Sequence, residues 1–443
     1  MIKQLKKLSN PFYYSIAAIG IFTLVLLLFM YFKEDGLFEQ HNLVTKIYYA
    51  DNISQTHQLL IDRFNKINKG KIEVVPINLP FEKFSTNERK ELLIRYLRSK
   101  SDRIDIFSVD QIWVPRFAKW TEPIEKYFPE TEKKDLIEQA LKTCYNKNDL
   151  VAIPLYYDIG LLYYNDFVLR KSPKYESIKK ELTNFITWER FIEIGKELKS
   201  FGVPVYLFPG DDYEGLMCSF IELLGSQNED LIVRDSIRLS TPGAEKSLQL
   251  LVDLINDSQL TSKEVLNFRE SECYKKFIRE NGLFLRGWSG FHFWYKDIIG
   301  PENIFSKYLV VPLPHFKNGK ATSIIGGWNL MVSKYSTKKN EAIKFIKFLV
   351  SEASQETMFE NGGYLPINKS VYNNSEFLKK HPDLNFYETV MATGYNRPFL
   401  DKYTRCSDVI AHYLNLAMRK QISVKQALAT AERVINSGEF FMK

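Results

Sequence analysis

Aromatic rings close to carboxylates are the residues of this 443-residue chain whose spacing could do chemistry. Tyr156 and Asp158 stand two positions apart in the segment PLYYDIG, so in an extended chain their side chains point to the same face. A ring beside a carboxylate can stack on the apolar face of a sugar ring while the carboxylate accepts the sugar's hydroxyls. The same spacing fits a sheet-face tyrosine beside a surface aspartate.

Two tryptophans come directly after glycines. Trp288 follows Gly287, and Trp328 follows Gly326 and Gly327. Glycine lets a backbone approach a bound molecule closely, so both indoles are candidates for a binding surface. Each tryptophan taken alone also fits core packing.

Two charged residues extend this set. Asp110 directly follows a predicted strand at residues 104–109, and open α/β sheets bind ligands beyond the carboxyl ends of such strands. The alternative for Asp110 is capping of the following helix. Arg397 could donate a two-pronged hydrogen bond to ligand hydroxyls, or could pair with a surface acid.

Motifs for metal, cofactor or nucleophilic chemistry are absent from the sequence. There is no H-E-x-x-H, phosphate-binding loop or dinucleotide fingerprint, and the run GWSG lacks the G-x-S-x-G spacing. The four cysteines are far apart, which predicts neither a zinc site nor a dithiol: Cys144, Cys218, Cys273 and Cys406. We therefore expect no catalytic residue, metal or cofactor, although a glycosidase pair of carboxylates stays open because such partners meet only in the fold. A net charge of +7 without a basic run gives no indication of nucleic-acid binding.

Short apolar strands alternate with amphipathic helices in the first part of the chain. Strands are predicted at residues 46–50, 72–77 and 104–109, with helices from Ser54 to about residue 70 and at residues 86–98. Strand–helix–strand order predicts an α/β fold with a largely parallel sheet. Later helices are predicted at residues 187–202, 244–255, 340–350 and 424–435, and a late pair of strands at residues 308–312 and 329–333. Two α/β lobes in one chain account for this order.

The N-terminus carries a different pattern. Phe12 to Phe32 is a run of 21 residues without a charge, which as a helix would be about 31 Å long. Three lysines precede it, Lys3, Lys6 and Lys7, which predicts a cytoplasmic N-terminus. We expect residues 1–35 to form a short tail and a transmembrane signal-anchor, with the rest outside the cytoplasm. A cleaved signal peptide is the alternative.

At this point the residues resemble a known family. The segments that carry the resemblance occur in the family's order from about residue 45 to 437: DIF with Asp110 and Trp113, FAKWTEPIEKYF, AIPLYYDIGLLYYND, TWERFIEIGKEL, YEGLMCSF, VVPLPHFKNGKATSIIGGWNLMVSKYS and NRPFLDKY. The chain resembles the extracellular solute-binding proteins (family 1) of ABC sugar importers, and most of all the trehalose/maltose-binding proteins. Each segment alone is weak evidence, and the ordered set is strong.

The resemblance implies a two-lobe, periplasmic-binding-protein-like fold of type II with a hinged cleft. One lobe would comprise residues 40–154 and 314–357, and the other residues 155–313 and 358–443. The sugar-contacting positions of the family fall on six residues: Asp110, Tyr156, Asp158, Trp288, Trp328 and Arg397. Arg89 would be a further donor, and Glu214 and Gly326 would lie near the same cleft. After the first strand, where these proteins often have an acid, the best match is the amide of Gln55.

The function expected from this resemblance is binding and not catalysis. A membrane-tethered, monomeric protein in the periplasm or outside the cell would capture a sugar, expected to be an oligosaccharide, and deliver it to the permease subunits of an ABC transporter. The lipid bilayer would be a partner through the N-terminal helix. Two alternatives stay open: a sensory module that reports the ligand to a signalling partner, and an extracellular glycosidase.

Overall fold

The structure is a computed structural model that describes residues 11–34, 44–80, 83–84, 86–100, 103–233, 236–300, 304–399 and 402–438. Within these ranges the chain is an α/β protein with one large sheet and two small two-stranded sheets. The strands are β1 Thr45–Asp51, β2 Ile72–Asn78, β3 Ile106–Asp110, β4 Tyr145–Asn146, β5 Asp149–Leu150, β6 Ile153–Asn165, β7 Tyr206–Leu207, β8 Ile232–Val233, β9 Ser236–Ile237, β10 Phe284–Trp288, β11 Tyr308–Val311, β12 Ser323–Val332 and β13 Gly394–Asn396.

Helices occupy most of the remaining chain. The α-helices are α1 Pro11–Glu34, α2 Gln55–Ile67, α3 Thr86–Arg98, α4 Val114–Phe117, α5 Glu130–Lys133, α6 Glu138–Lys142, α7 Asp166–Leu169, α8 Tyr175–Thr183, α9 Trp188–Leu198, α10 Glu214–Ser226, α11 Pro242–Asn256, α12 Glu270–Arg279, α13 Phe291–Trp294, α14 Lys296–Ile299, α15 Ile304–Lys307, α16 Lys339–Leu349, α17 Glu352–Gly362, α18 Lys369–Asn373, α19 Ser375–Lys380, α20 Asp383–Met391, α21 Tyr403–Met418 and α22 Val424–Ser437. Short 3₁₀ turns lie at Gln111–Trp113, Ala118–Trp120, Glu125–Tyr127, Lys199–Phe201 and Lys263–Asn267.

The large sheet has nine strands in the order β2-β1-β3-β12-β6-β10-β7, with β11 paired to β6 and β13 paired to β12. Strands β2, β1 and β3 are parallel, as the strand–helix–strand order predicts. The sheet as a whole is mixed, however, because β12 runs antiparallel to both β3 and β6, and β6 runs antiparallel to β10. The prediction of a largely parallel sheet was therefore wrong for its centre, where two long strands run side by side.

Strand β6 joins the two halves of this sheet. Its first part pairs with β12, which continues to β3, β1 and β2, whereas residues 160–165 pair with β10 and β11. All but one of its 13 residues are buried, as expected for a strand covered by helices on both faces. Residues at the crossover, from Tyr156 to Gly160, therefore lie between the two groups of strands.

The predicted helices in the described ranges are observed with small shifts at their ends. Ser54 and Thr187 cap α2 and α9, because their side chains accept hydrogen bonds from the backbone N–H of His57 and Arg190. Strand β12 is longer than predicted and begins at Ser323. All four cysteines are free and buried.

The predicted anchor segment is helical as α1, and its described side chains, at residues 15–28, are exposed. Among the described residues, no helix combines the length and the apolar character that crossing a membrane requires. The predicted transmembrane helix is therefore not supported. The lysines of the predicted cytoplasmic tail lie outside the described residues.

Candidate ligand-binding site

Five of the predicted residues lie on one face of the central strands. Trp328 of β12 is paired with Asp110 at the end of β3 on one side and with Tyr156 of β6 on the other. Gly326, two residues before Trp328, is paired with Asp158. Paired residues on neighbouring strands, and residues two apart on one strand, point to the same face of a sheet. The face formed by β3, β12 and β6 thus presents two rings and two carboxylates together.

Trp288 joins this face from the next strand. It ends β10, where it is paired with Gly160, two residues after Asp158. Its indole reaches across to β12, since a Cβ built on Gly326 would lie 3.2 Å from Cζ3 of Trp288. The backbone N–H of Trp288 donates to the hydroxyl of Tyr274 at 3.0 Å. Gly326 therefore makes room for the indole of Trp288.

Asp158 is held by hydrogen bonds from the residue after Trp288. Its Oδ1 accepts from the Ser289 hydroxyl at 2.7 Å and from the Ser289 N–H at 3.1 Å. Burial raises the pKa of Asp158 to about 7, and the hydrogen bonds from Ser289 and the charge of Arg286 limit that rise. Near pH 7 this carboxyl can therefore either accept or donate a hydrogen bond.

Arg397 connects Asp110 to a second carboxylate. Its Nη2 donates to Asp110 Oδ1 at 2.8 Å and its Nη1 donates to Glu214 Oε1 at 2.9 Å. Glu214 also accepts from the hydroxyls of Tyr403 and Ser407. Burial acts to lower the pKa of Arg397, but Asp110 and Glu214 outweigh it and hold that pKa well above its usual value. Burial raises the pKa of Glu214, against the opposing effects of Arg397 and Ser407.

Asp110 fills the capping role that the sequence offered as the alternative to ligand binding. Its Oδ1 accepts from the backbone N–H of Ile112 at 3.2 Å, which caps the following 3₁₀ turn. The same oxygen binds Arg397, so capping and ion pairing coexist.

Arg89 of α3 is fully buried and lies against Trp328. Its Cζ is 4.4 Å from the centroid of the indole, within the range of a cation–π contact. Its Nη2 donates to Asp51 Oδ1 at 3.2 Å. Asp51, the last residue of β1, also accepts from the hydroxyl of Tyr49 at 2.5 Å. The structure thus places a carboxylate where the sequence analysis expected only the amide of Gln55, which lies exposed at the start of α2.

The candidate site residues together offer aromatic faces and paired charges. Three buried arginines each bind a carboxylate: Arg89 with Asp51, Arg397 with Asp110 and Glu214, and Arg286 with Glu222. Within the part of the chain that the structure describes, no group of three or more histidines, cysteines or acids could hold a metal ion. Such a surface suits an uncharged molecule with hydroxyls and apolar faces.

A comparison with known protein families decides what kind of protein this is. Residues 49–356, more than half of the chain, match the family model described as "Bacterial extracellular solute-binding protein". The chain belongs to this family. The family expected from the sequence is therefore confirmed, and membership implies a location outside the cytoplasm.

Relatives of this solute-binding protein include one from Deinococcus radiodurans named "Probable ABC transporter-binding protein". The two are 26% identical over 355 residues, which cover 78% of this chain and 83% of the relative. A binding protein of Brucella abortus is 21% identical over 347 residues, which cover 77% of this chain and 78% of that protein. Both relatives are similar over most of their length.

Solved structures place the protein in the two-lobe α/β fold of the maltose-binding proteins. Maltose-bound MalE3 of T. maritima is 26% identical and superposes with a TM-score of 0.79, covering 89% of this chain and 99% of that one. The Thermus thermophilus maltotriose-binding protein, solved with maltotriose, is 20% identical with a TM-score of 0.71, covering 88% and 99%. A solute-binding protein of Thermotoga lettingae, solved with α-D-tagatose, is 19% identical with a TM-score of 0.76, covering 89% and 99%.

Several residues of this solute-binding protein's site were missed from the sequence. The ring of Tyr364 lies 4.4 Å from that of Tyr156 and 5.3 Å from that of His57, between centroids. Burial lowers the pKa of His57, against the opposing charge of Asp51. Asp51 could have been found, because it follows an apolar strand just as Asp110 does. Nothing in the local sequence of Tyr364 indicates its place beside Tyr156.

Proposed function

We propose that this solute-binding protein captures an uncharged sugar, expected to be an oligosaccharide, between its two lobes. The observation that carries the proposal is the single sheet face shared by Tyr156, Asp158, Trp288 and Trp328. Indole and phenol faces stack on the apolar faces of sugar rings, while carboxyls beside them bind the hydroxyls. Sugars are also bound in the maltose, maltotriose and tagatose complexes of the similar structures.

In this proposal each candidate residue has a stated role. Trp288, Trp328 and Tyr156 provide stacking surfaces, and Asp110 and Asp158 receive hydroxyls. Arg397 donates to hydroxyls, with Glu214 holding its guanidinium. Arg89 and Gln55 are further donors, and Gly326 keeps the space beside Trp288 open.

The ligand would close a cleft between lobes comprising residues 40–154 with 314–357, and residues 155–313 with 358–443. Asp110 belongs to the first lobe, whereas Arg397 and Glu214 belong to the second. A ligand that contacts both groups favours the closed arrangement over the open one, because only closure makes all of its contacts. The expected consumer of the captured sugar is the permease of an ABC importer, which the monomeric binding protein would meet in its closed form.

The proposal of a membrane tether rests on the sequence of α1 and on its exposed apolar side chains. Ile19, Ile21, Phe22 and Leu27 are each more than 60% exposed. Uncovered apolar side chains on this scale are costly in water, so we propose that lipid covers them. The test is the distribution of the full chain between membrane and soluble fractions, compared with a chain that lacks residues 1–35. Equal distribution of the two would contradict the tether.

Calorimetric titration with maltose, maltotriose, D-tagatose and ribitol tests the binding proposal. We expect heat of binding with at least one sugar, and an affinity reduced about fivefold in Trp288→Phe, because exchanging the indole for the smaller phenyl ring removes on the order of 1 kcal/mol of stacking. The matched control is Trp188→Phe, since Trp188 packs on Phe191 and Tyr206, away from the site. Absence of binding to every sugar would overturn the sugar proposal.

A further inference from the structure

Both tryptophans of the site have an arginine against one face of the indole. The Cζ of Arg286 is 4.1 Å from the ring centroid of Trp288, and that of Arg89 is 4.4 Å from the ring centroid of Trp328. The exposed fractions of the two arginines are 1% and 0%. Each indole therefore has one face covered from within the protein.

The arginine beneath Trp288 is fixed by a two-pronged ion pair. Its Nε donates to Glu222 Oε2 at 3.2 Å and its Nη2 donates to Glu222 Oε1 at 2.6 Å. Glu222 belongs to α10 and Arg286 to β10, so the pair ties this helix to the strand that carries Trp288. Arg286 and Trp288 are two residues apart on β10 and therefore point to the same face.

Gly160 leaves the space that this ion pair occupies. A Cβ built on Gly160 would lie 2.1 Å from Glu222 Oε1 and 2.8 Å from Arg286 Nη2, both shorter than any real contact of a Cβ. Gly160 is also the residue paired with Trp288 across β6 and β10. The glycine, the ion pair and the indole thus form one packed unit, which we call the Trp288 support: Gly160, Glu222, Arg286 and Trp288.

We propose that Arg286, held by Glu222, is a positioning residue that fixes the indole of Trp288 with one face turned to the ligand. This inference rests on the proposed function for the identity of the ligand, but the positioning itself is a property of the ligand-free protein.

The physical basis is pre-organisation. A guanidinium is flat and binds a carboxylate through two parallel hydrogen bonds, so its plane is fixed, and a ring attracted to that plane is fixed in turn. A ring that is already ordered loses less freedom when ligand binds, which increases affinity. Because each arginine is neutralised by its own carboxylate, the support orders the ring without offering a free positive charge to the ligand.

Two variants disrupt the support in different ways. The double variant Glu222→Gln with Arg286→Met removes both charges together, so that neither is left buried without its partner. Gly160→Ala keeps both charges and adds a methyl group that pushes the two side chains out of position. The matched control is Gly195→Ala in α9, where the added Cβ would lie 2.8 Å from Cδ1 of Leu260 and far from any tryptophan of the site.

The first measurement needs no ligand. Each protein is compared with its own Trp288→Phe counterpart, and the difference gives the fluorescence of Trp288 and its quenching by acrylamide. We expect Trp288 to be quenched more strongly in both support variants and unchanged in Gly195→Ala. Thermal unfolding recorded on the same samples identifies any variant that is not folded, and Arg286→Lys then takes its place, with an intermediate effect expected.

The second measurement is calorimetric affinity for maltose, or for the sugar of the panel that binds the wild type. We expect a loss of up to about fivefold in the two support variants and less than a twofold change in the control. Unchanged quenching of Trp288 would overturn the positioning role. Increased quenching with wild-type affinity would overturn its part in binding. If the wild type binds no sugar, the proposed function fails, and the quenching result still decides the positioning role.

Discussion

Arg397 and Asp110 form a buried ion pair with an Nη2–Oδ1 distance of 2.8 Å. The other terminal nitrogen of Arg397, Nη1, lies 2.9 Å from Oε1 of Glu214. One guanidinium therefore connects the end of β3, the segment after β13 and the start of α10. In sequence these three sites lie more than 100 residues apart, and they meet beside the face that carries Trp328.

Replacing Arg397 is expected to destabilise the fold as well as ligand binding. Arg397→Met leaves Asp110 and Glu214 buried with no arginine between them, which costs on the order of 3 kcal/mol of the free energy of unfolding. The measurement is denaturant unfolding by fluorescence. Arg190→Met is the control, because Arg190 binds Glu181 at a partly exposed site and should lose less than about 1 kcal/mol. Equal losses in the two variants would contradict the bridging role of Arg397.

The raised pKa of Asp158 predicts how the stability of the fold changes with pH. Its pKa rises from an ordinary 3.8 to about 7 on burial, so between these values the folded state binds more protons than the unfolded state. Stability contributed by this proton is present below about pH 4 and is lost as pH rises through 7. Between pH 5 and pH 8 the thermal midpoint of the wild type should therefore fall relative to that of Asp158→Asn. A constant difference between the two proteins at both pH values would contradict this environment for Asp158.

Two adjacent glycines should respond differently to alanine. Gly327 has a φ of +152° and a Cβ there would lie 2.7 Å from the carbonyl oxygen of Tyr156, so Gly327→Ala strains the backbone and should lower the free energy of unfolding by at least about 1 kcal/mol.

At Gly326 the added Cβ would meet only the edge of Trp288, at 3.2 Å. Gly326→Ala should therefore fold with near wild-type stability but shift the indole and weaken sugar binding several-fold. Thermal unfolding and calorimetry on both variants check this contrast. If Gly326→Ala were the less stable of the two variants, backbone strain would not be what requires glycine at position 327.

Charge in the ligand should reduce affinity. The three arginines described at the site, Arg89, Arg286 and Arg397, each bind a carboxylate, and Asp158 adds a further acidic group. Because these arginines are already paired, a carboxylate on the sugar would be repelled by the acids. Maltobionate should bind at least about tenfold more weakly than maltose in parallel titrations, and the difference should shrink at high salt. Equal affinity would indicate an unpaired arginine in the liganded protein.

Much of the site could be predicted from the sequence because strand periodicity fixes which residues share a face. Tyr156 and Asp158 are two apart on one strand, so their shared face follows from local pattern alone, and so does the place of Asp110 at the end of another strand. Asp51 was missed because the first strand was taken to end one residue early, at Ala50.

Other features could not be predicted because they depend on long-range pairing. The antiparallel pairing of β6 with β12 puts Gly326 opposite Asp158, and neither segment carries a signal for the other. The buried pair of Glu222 and Arg286 lies within apolar stretches of two separate elements, and local composition does not indicate that the two charges meet. For the same reason the local sequence does not indicate that Gly326 makes room for the indole of Trp288.

The central claim is that a sugar binds against the face formed by Tyr156, Asp158, Trp288 and Trp328. The most direct test is a crystal structure of the protein grown with the sugar of the panel that binds most tightly. We expect a sugar ring stacked on Trp288 or Trp328, with a hydroxyl within hydrogen-bond distance of Asp158 or Asp110. A sugar bound elsewhere on the protein, with these residues still in contact only with one another, would show that this face is not the binding site.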